Sequence, residues 1–208
     1  MTADSMKAIR PARSRDTDEV ARLYEICLRT GADGDDAQDL YEDPRLLGEV
    51  YLGAYLRFEP DLAFVIEDAA GAVLGYVVGA RDTVGFEELL EESWWPPLRQ
   101  RYPLGSFAPD SHDEALVRRI HTSGRTAPCV TEKYPAHLHV DLLPEAQGGG
   151  NGRALLDTFF EALRARSVRG VHLGVSPSNT RAIGFYRHLG FTELEGNLWG
   201  MKLNSPPS

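Results

Sequence analysis

His137–Leu156, HLHVDLLPEAQGGGNGRALL, is the stretch from which the fold is read. A short apolar run, Leu138, Val140, Leu142 and Leu143, stops at Pro144. A glycine cluster follows, Gln147-Gly148-Gly149-Gly150-Asn151-Gly152, and an amphipathic pattern opens at Arg153. The order is strand, tight loop, helix. The first N–H groups of a helix have no intrahelical acceptor and lie at the positive end of its dipole. Glycines in front of them remove the Cβ atoms that would keep an anion from the backbone. The loop therefore points to a phosphate-bearing ligand, while a glycine-rich turn without a ligand has the same local composition. It is not a Rossmann loop, because no acidic ribose ligand stands at the expected distance. It is not a P-loop, because no Gly-Lys-Ser/Thr closes it.

The chain has 208 residues, 42% hydrophobic and 25% charged, which suits one globular domain carrying an insertion. A net charge of −9 argues against nucleic acid as a partner. Such a surface attracts cationic partners, but more often it serves solubility. The two cysteines, Cys27 and Cys129, define no disulfide framework or metal spacing, so no metal is expected. Cys27 reads as a small buried hydrophobe. No apolar run reaches transmembrane length and no signal peptide opens the chain, so a cytoplasmic protein without membrane contact is expected.

Lys7–Pro11 reads as a first strand. Asp16 and Glu19 form a capping box for a helix with Val20, Leu23, Tyr24, Cys27 and Leu28 on one face, ended by Gly31. Ala32–Glu42 reads as a mobile acidic loop. Leu46 to Tyr55 form a second helix, closed by Pro60. Leu62–Asp68 and Ala72–Arg81 form a hairpin, with Gly75 and Gly79 at bulges. Residues 82–135 contain no strand pattern. Phe86–Glu92 and Ser111–His121 look helical there, and Trp94-Trp95-Pro96-Pro97 suggests a packed excursion. It reads equally as a wall of a substrate-sized pocket, a structural lid or a dimer contact. After the glycine loop, Leu155, Leu156, Phe159, Phe160 and Leu163 mark a buried helix face. Gly170–Val175 is a strand, and a helix from Ser178-Asn179-Thr180 stops at Gly190. Phe191–Glu195 and Leu198–Leu203 close the sheet, and Asn204–Ser208 is a frayed tail.

Two motifs carry a family resemblance. Gln147-x-x-Gly150-x-Gly152 resembles the Q/R-x-x-G-x-G/A signature of the GNAT acetyltransferases. Asn179-Thr180-Arg181-Ala182-Ile183-Gly184-Phe185-Tyr186-Arg187-His188-Leu189-Gly190-Phe191 resembles their N-x-x-A-x-x-F/L-Y-x-x-x-G-F segment. Tyr134–Pro144 and the insertion before it resemble a narrower bacterial subgroup, related to the C-terminal acetyltransferase-like domain of O-GlcNAcase. The implied fold is α+β, with α/β/α layers: a mixed, mostly antiparallel sheet flanked by helices, with a helical insertion between strands 3 and 4. The implied domain spans 1–208, and the insertion lies at about 82–135. The implied activity is acetyl-CoA-dependent N-acetyl transfer to an amine. In that reading Val140, Asp141 and Leu142 meet the thioester and the cofactor arm. Gln147, Gly148, Gly149, Gly150, Asn151, Gly152 and Arg153 take the pyrophosphate. Asn179 meets the pantetheine region, and Tyr186 is the acid for the leaving thiol.

The general base stays open between Asp141 and His139, which share a strand face with His137; His172 is a weaker candidate. Histone-type members carry a glutamate where this chain has Ala136, which weakens a histone-directed reading. The acceptor (small molecule, peptide or protein lysine) and a homodimer also stay open. The competing reading is a catalytically inactive acyl-CoA-binding or interaction module on the same fold.

Overall fold

A computed structural model describes residues 8–203. Lys7 and the tail Asn204–Ser208 lie outside them. A seven-stranded sheet runs in the order β1-β2-β3-β4-β5-β7-β6. Its strands are β1 Ala8–Pro11, β2 Ala63–Glu67, β3 Val73–Ala80, β4 Ala136–Leu142, β5 Gly170–Gly174, β6 Thr192–Glu193 and β7 Leu198–Lys202. Every neighbouring pair is antiparallel except β4 with β5. The helices are α1 Thr17–Arg29, α2 Leu46–Tyr51, α3 Gly53–Phe58, α4 Thr83–Leu89, α5 Trp95–Arg101, α6 His112–His121, α7 Pro128–Thr131, α8 Asn151–Arg164 and α9 Thr180–Leu189.

The two faces of the sheet bury different cores. Tyr76, Val78 and Ala80 pack on one side with α1, α2, α3 and the insertion. Val77, Leu138, Val171 and Leu173 pack on the other with α8 and the aromatic residues Tyr186, Phe191 and Trp199. Leu155, Leu156, Phe159 and Leu163 of α8 are fully buried, and each contributes roughly 1.5–3 kcal/mol by leaving water. This is the layered α+β fold that the sequence implies.

Local corrections follow from tertiary partners. Asp16 caps α1 by accepting from the Asp18 and Glu19 N–H groups. Glu19 does not reach back to complete a box; it accepts from the Arg13 N–H at 2.6 Å and pairs with Arg10 at 2.7 Å. The helix then ends at Arg29, just before Gly31. The expected single helix from Leu46 to Tyr55 breaks at Leu52, whose φ of −134° leaves the helical basin. Gly53 permits the close approach there, since a Cβ would stand 2.2 Å from the Tyr24 hydroxyl. The bulge in the hairpin lies beside Gly75. Gly79 instead marks a tight crossing, where a Cβ would sit 2.3 Å from the His137 carbonyl oxygen. α8 starts at Asn151, two residues earlier than the apolar pattern indicates. In the insertion α4 and α6 cover the two predicted helical stretches, and a π-helical segment Leu90–Trp94 joins α4 to α5. Trp95 is buried, and Trp94 donates its indole N–H to the Glu49 carbonyl at 2.9 Å.

Candidate active site

β4 and β5 begin as a parallel pair and then part. Among the described residues their register covers Ala136↔Val171 and His137↔His172 alone. β4 stays paired with β3 as far as Leu142, and the next residue, Leu143, donates its N–H to the Leu74 carbonyl at 2.9 Å. In an antiparallel ladder successive residues point their N–H and C=O groups to opposite sides. Those of Val140 therefore face away from β3, into the gap.

Two clefts meet at this gap. The first, of about 780 Å³, opens toward the glycine loop and α9. Val140, Asp141, Leu142, Gln147, Gly148, Gly150, Gly152, Arg153, Asn179 and Tyr186 all line it. Gly149 and Asn151 are not part of that lining. The second, of about 910 Å³, opens toward the insertion. His139, Tyr51, Leu173 and Gly174 border both. The insertion thus walls the second cleft through Thr83, Phe86, Glu87, Arg119 and Thr126.

The glycine loop is held open by its backbone. Gly148, Gly149 and Gly150 have φ of 78°, 58° and 80°, the left-handed region that favours glycine. A Cβ on Gly148 or Gly150 would meet no atom within 4 Å. Gln147 donates its side-chain amide to the Leu142 carbonyl at 2.9 Å, and Asn151 donates to the Ala146 carbonyl at 3.1 Å. No side chain caps the start of α8 among the described residues; the Asn151 N–H turns to the Gly148 carbonyl at 3.2 Å, and the next two, of Gly152 and Arg153, are the ones left to an anion.

Tyr186 is buried between Phe185 and Phe191, with ring centroids 5.5 and 5.6 Å away. Burial, reinforced by the charge of Asp141, raises its phenol pKa and keeps the proton on. Asp141 accepts a short hydrogen bond from the Tyr76 hydroxyl. Burial lifts its carboxyl to about 6, against the lowering effect of hydrogen bonds from Tyr76 and Thr30. Cys27 stands beside this group, its thiol pKa raised by burial.

His139 packs edge-on against Tyr51 and Tyr55, each with centroids 5.5 Å away. Burial first, then Arg119 and His172, lower its pKa to about 4, so the ring is neutral at physiological pH. His137 has both nitrogens engaged. Thr83 Oγ1 donates to the Pro135 carbonyl at 2.7 Å, so it accepts from His137 Nδ1 at 2.8 Å. His137 Nε2 is then the acceptor for the Tyr55 hydroxyl at 2.8 Å. His172 donates from Nδ1 to the Tyr134 carbonyl at 2.8 Å. Asn179 caps α9 through Ala182 N–H and donates to the Asp33 carbonyl at 2.8 Å. Ser176 and Ser178 both donate to the Asp33 carboxylate. Asp33, Gly34 and Ser176 belong to the lining of the first cleft, so the segment after α1 is latched to the segment before α9 at that cleft. The Tyr76–Asp141, Thr83–His137 and Asp33–Ser176 contacts join residues 65, 54 and 143 positions apart, and no local motif announces them.

Among the described residues no group of three or more His, Cys, Asp or Glu side chains is arranged to hold a metal ion. No helix there is long and apolar enough to cross a membrane.

A splayed parallel pair beside a glycine-rich strand-to-helix loop is the arrangement of an acyltransferase fold. The profile of the Acetyltransferase (GNAT) family matches residues 19–191, and the chain belongs to that family. It is 26% identical over 188 residues to Protein O-GlcNAcase of Rattus norvegicus, covering 89% of this chain and 20% of that protein. The chain thus spans about a fifth of that relative's length. It is 30% identical to Mycothiol acetyltransferase of Frankia casuarinae over 155 residues, covering 72% of this chain and 43% of that one. Among solved structures, SsHAT superposes with a TM-score of 0.86 at 39% identity, covering 95% of this chain and 98% of that one. A GNAT family acetyltransferase from Brucella melitensis, solved in complex with acetyl-CoA, shares the fold, with a TM-score of 0.51 at 19% identity over 98% of this chain and 92% of that one.

Proposed function

We propose that this chain moves an acetyl group from acetyl-CoA to an amine by direct attack on the thioester. One observation carries the reading: the gap between β4 and β5 connects an open glycine loop on one side to a separate cleft on the other. A phosphorylated donor and an amine acceptor can then approach the same backbone segment from opposite sides. The residues present suit the donor. Gly148, Gly150 and the first N–H groups of α8, with Arg153 beside them, suit a pyrophosphate. The N–H of Val140, which faces away from β3 into the gap, suits a thioester carbonyl, and one such donor is worth roughly 3 kcal/mol of barrier. Gln147 and Asn151 act by bracing the loop, and Asn179 by holding α9 and Asp33 beside the donor arm.

Acetyl-CoA, when bound, supplies the activated acetyl carbon. The bond that forms is carbon to nitrogen and the bond that breaks is carbon to sulfur. An ordinary ammonium group, of pKa about 10.4, must lose a proton before attack. Of the two base candidates, His139 borders both clefts and Asp141 borders the first, so His139 takes the amine proton. Tyr186, held protonated by burial and by Asp141, gives its proton to the leaving thiolate. Asp141 keeps a carboxylate near Tyr186 and ties β4 to β3 through Tyr76.

Calorimetry of acetyl-CoA binding tests the reading. Wild type should bind, and Gly150→Glu should lose affinity by about a hundredfold through bulk and charge at the loop. Failure of wild type to bind refutes the donor site. Binding without transfer to any amine class leaves an inactive acyl-CoA-binding module.

A further inference from the structure

The second cleft carries an excess of positive charge although the whole chain is acidic. Arg118, Arg119 and Arg125 line it together with two carboxylates, Glu87 and Glu91. Glu91 is neutralised by Arg99, which donates to both of its oxygens at 3.0 Å. Arg118 turns away to the Pro109 carbonyl at 2.5 Å and to Glu114 at 3.8 Å. Arg119 has no carboxylate partner among the described residues. Its guanidinium lies over the Tyr51 ring, 5.3 Å from the ring centroid and inside the ~6 Å reach of a cation–π contact. That ring and His139 pack edge to face, with centroids 5.5 Å apart. The cation is therefore fixed one ring away from the group to which proton removal is assigned.

Glu87 is the complementary feature. It has no cationic partner among the described residues, and Thr126 holds it through its N–H at 2.9 Å and its hydroxyl at 2.7 Å. A cleft of about 910 Å³ is the size of a small-molecule site. It presents a fixed guanidinium and a fixed carboxylate to one occupant.

Resting on the acetyl-transfer reading above, we propose that the acceptor is a small amine that also bears a carboxylate, of the amino-acid class, and that Arg119 binds that carboxylate. Arg119 offers a planar, two-pronged donor set that matches a carboxylate. Glu87 draws the ammonium end into the cleft before deprotonation. A lysine-rich peptide would instead bring its positive charges against Arg119 and Arg125.

The test uses the full chain with acetyl-CoA and follows release of the free thiol. The acceptors are the free L-amino acids, their carboxamides, their decarboxylated amines and a lysine-containing peptide. At least one free amino acid should exceed its carboxamide in kcat/KM by about tenfold or more, the fold-change that one charge-assisted contact carries. Arg119→Gln should collapse that ratio to near one, mainly through KM of the free acid, and Arg119→Lys should restore part of it. Calorimetry with acetyl-CoA checks that each variant keeps its donor site. Equal use of acid and amide, preference for cationic amines or the peptide, or a ratio that Arg119→Gln leaves intact overturns the proposal. So does acetyl-CoA binding with no free amino acid turned over. Failure of acetyl-CoA to bind at all refutes the acetyl-transfer reading itself, which separates the two failures.

Discussion

Asp141→Asn removes a charge that the fold holds at a disadvantage. The carboxyl titrates at about 6 in the folded protein, against 3.8 for an ordinary aspartate. The gap corresponds to about 3 kcal/mol. Because the folded value is the higher one, the stabilising contribution of the protonated form is complete below 3.8 and is lost as pH rises through 6. Asparagine stands in for the protonated form at every pH. It keeps an oxygen for the Tyr76 hydroxyl, and its amide can donate to Thr30 Oγ1. The variant should therefore be more stable than wild type by up to about 3 kcal/mol at pH 8, or roughly 6–12 °C in Tm for a chain of this length. At pH 4 the difference should nearly vanish. Urea unfolding of both proteins from pH 4 to pH 8 reads the effect directly. A gap that does not change with pH, or a less stable variant at pH 8, refutes the reasoning, since either means that burial of the charge is not what Asp141 costs the fold.

On the proposed acetyl-transfer reading, in which the hydroxyl acts on the leaving group, Tyr186→Phe should lower kcat by about a hundredfold in the thiol-release assay and leave acetyl-CoA affinity within a few-fold. An unchanged kcat removes Tyr186 from the chemistry. Asp33→Ala breaks the contacts to Ser176 and Ser178 and should speed acetyl-CoA release several-fold in stopped flow, while thermal stability falls by less than about 1 kcal/mol. Identical release rates would separate the latch from ligand retention. Gly79→Ala should destabilise by at least about 2 kcal/mol, because its Cβ would sit 2.3 Å from the His137 carbonyl oxygen and 2.5 Å from Phe159. A Tm within a degree of wild type would show that β3 and β4 can separate there without loss.

The elements that the sequence reveals are those whose signals are local. The glycine loop, the Asn179 cap, Gly190 at the end of α9 and the apolar face of α8 each sit within a few residues of what they determine. The site's polar wiring is different in kind. Thr83 fixes the tautomer of His137 from 54 residues away, and Tyr76 holds Asp141 from 65. A tyrosine inside an apolar strand looks ordinary until the sheet register puts it opposite Asp141, and a threonine entering α4 looks ordinary until the chain past β3 brings it beside Pro135 and His137. The Leu52 break is hidden for the same reason, since Leu46 to Tyr55 keep helical spacing and the interruption follows from packing of Gly53 under Tyr24. The Ala32–Glu42 segment, acidic and glycine-containing, shows no sign in sequence of its latch to Ser176 and Ser178.

The short register between β4 and β5 has one more consequence. Past His137 and His172 the sheet holds two unsealed ladders in its interior, with the polar backbone groups of Val140 facing a cleft where a neighbouring strand would ordinarily lie. Edge strands usually sit at a protein's rim, where they invite aggregation. Here the seam lies inside the sheet and opens onto the two clefts, where a narrow, extended occupant with its own peptide-like groups fits. Such an occupant would complete the missing rungs, and hydrogen exchange at Val140 should slow when it does. The sheet is in this sense one strand short by construction, and an extended ligand with amide groups would supply the rungs that finish it.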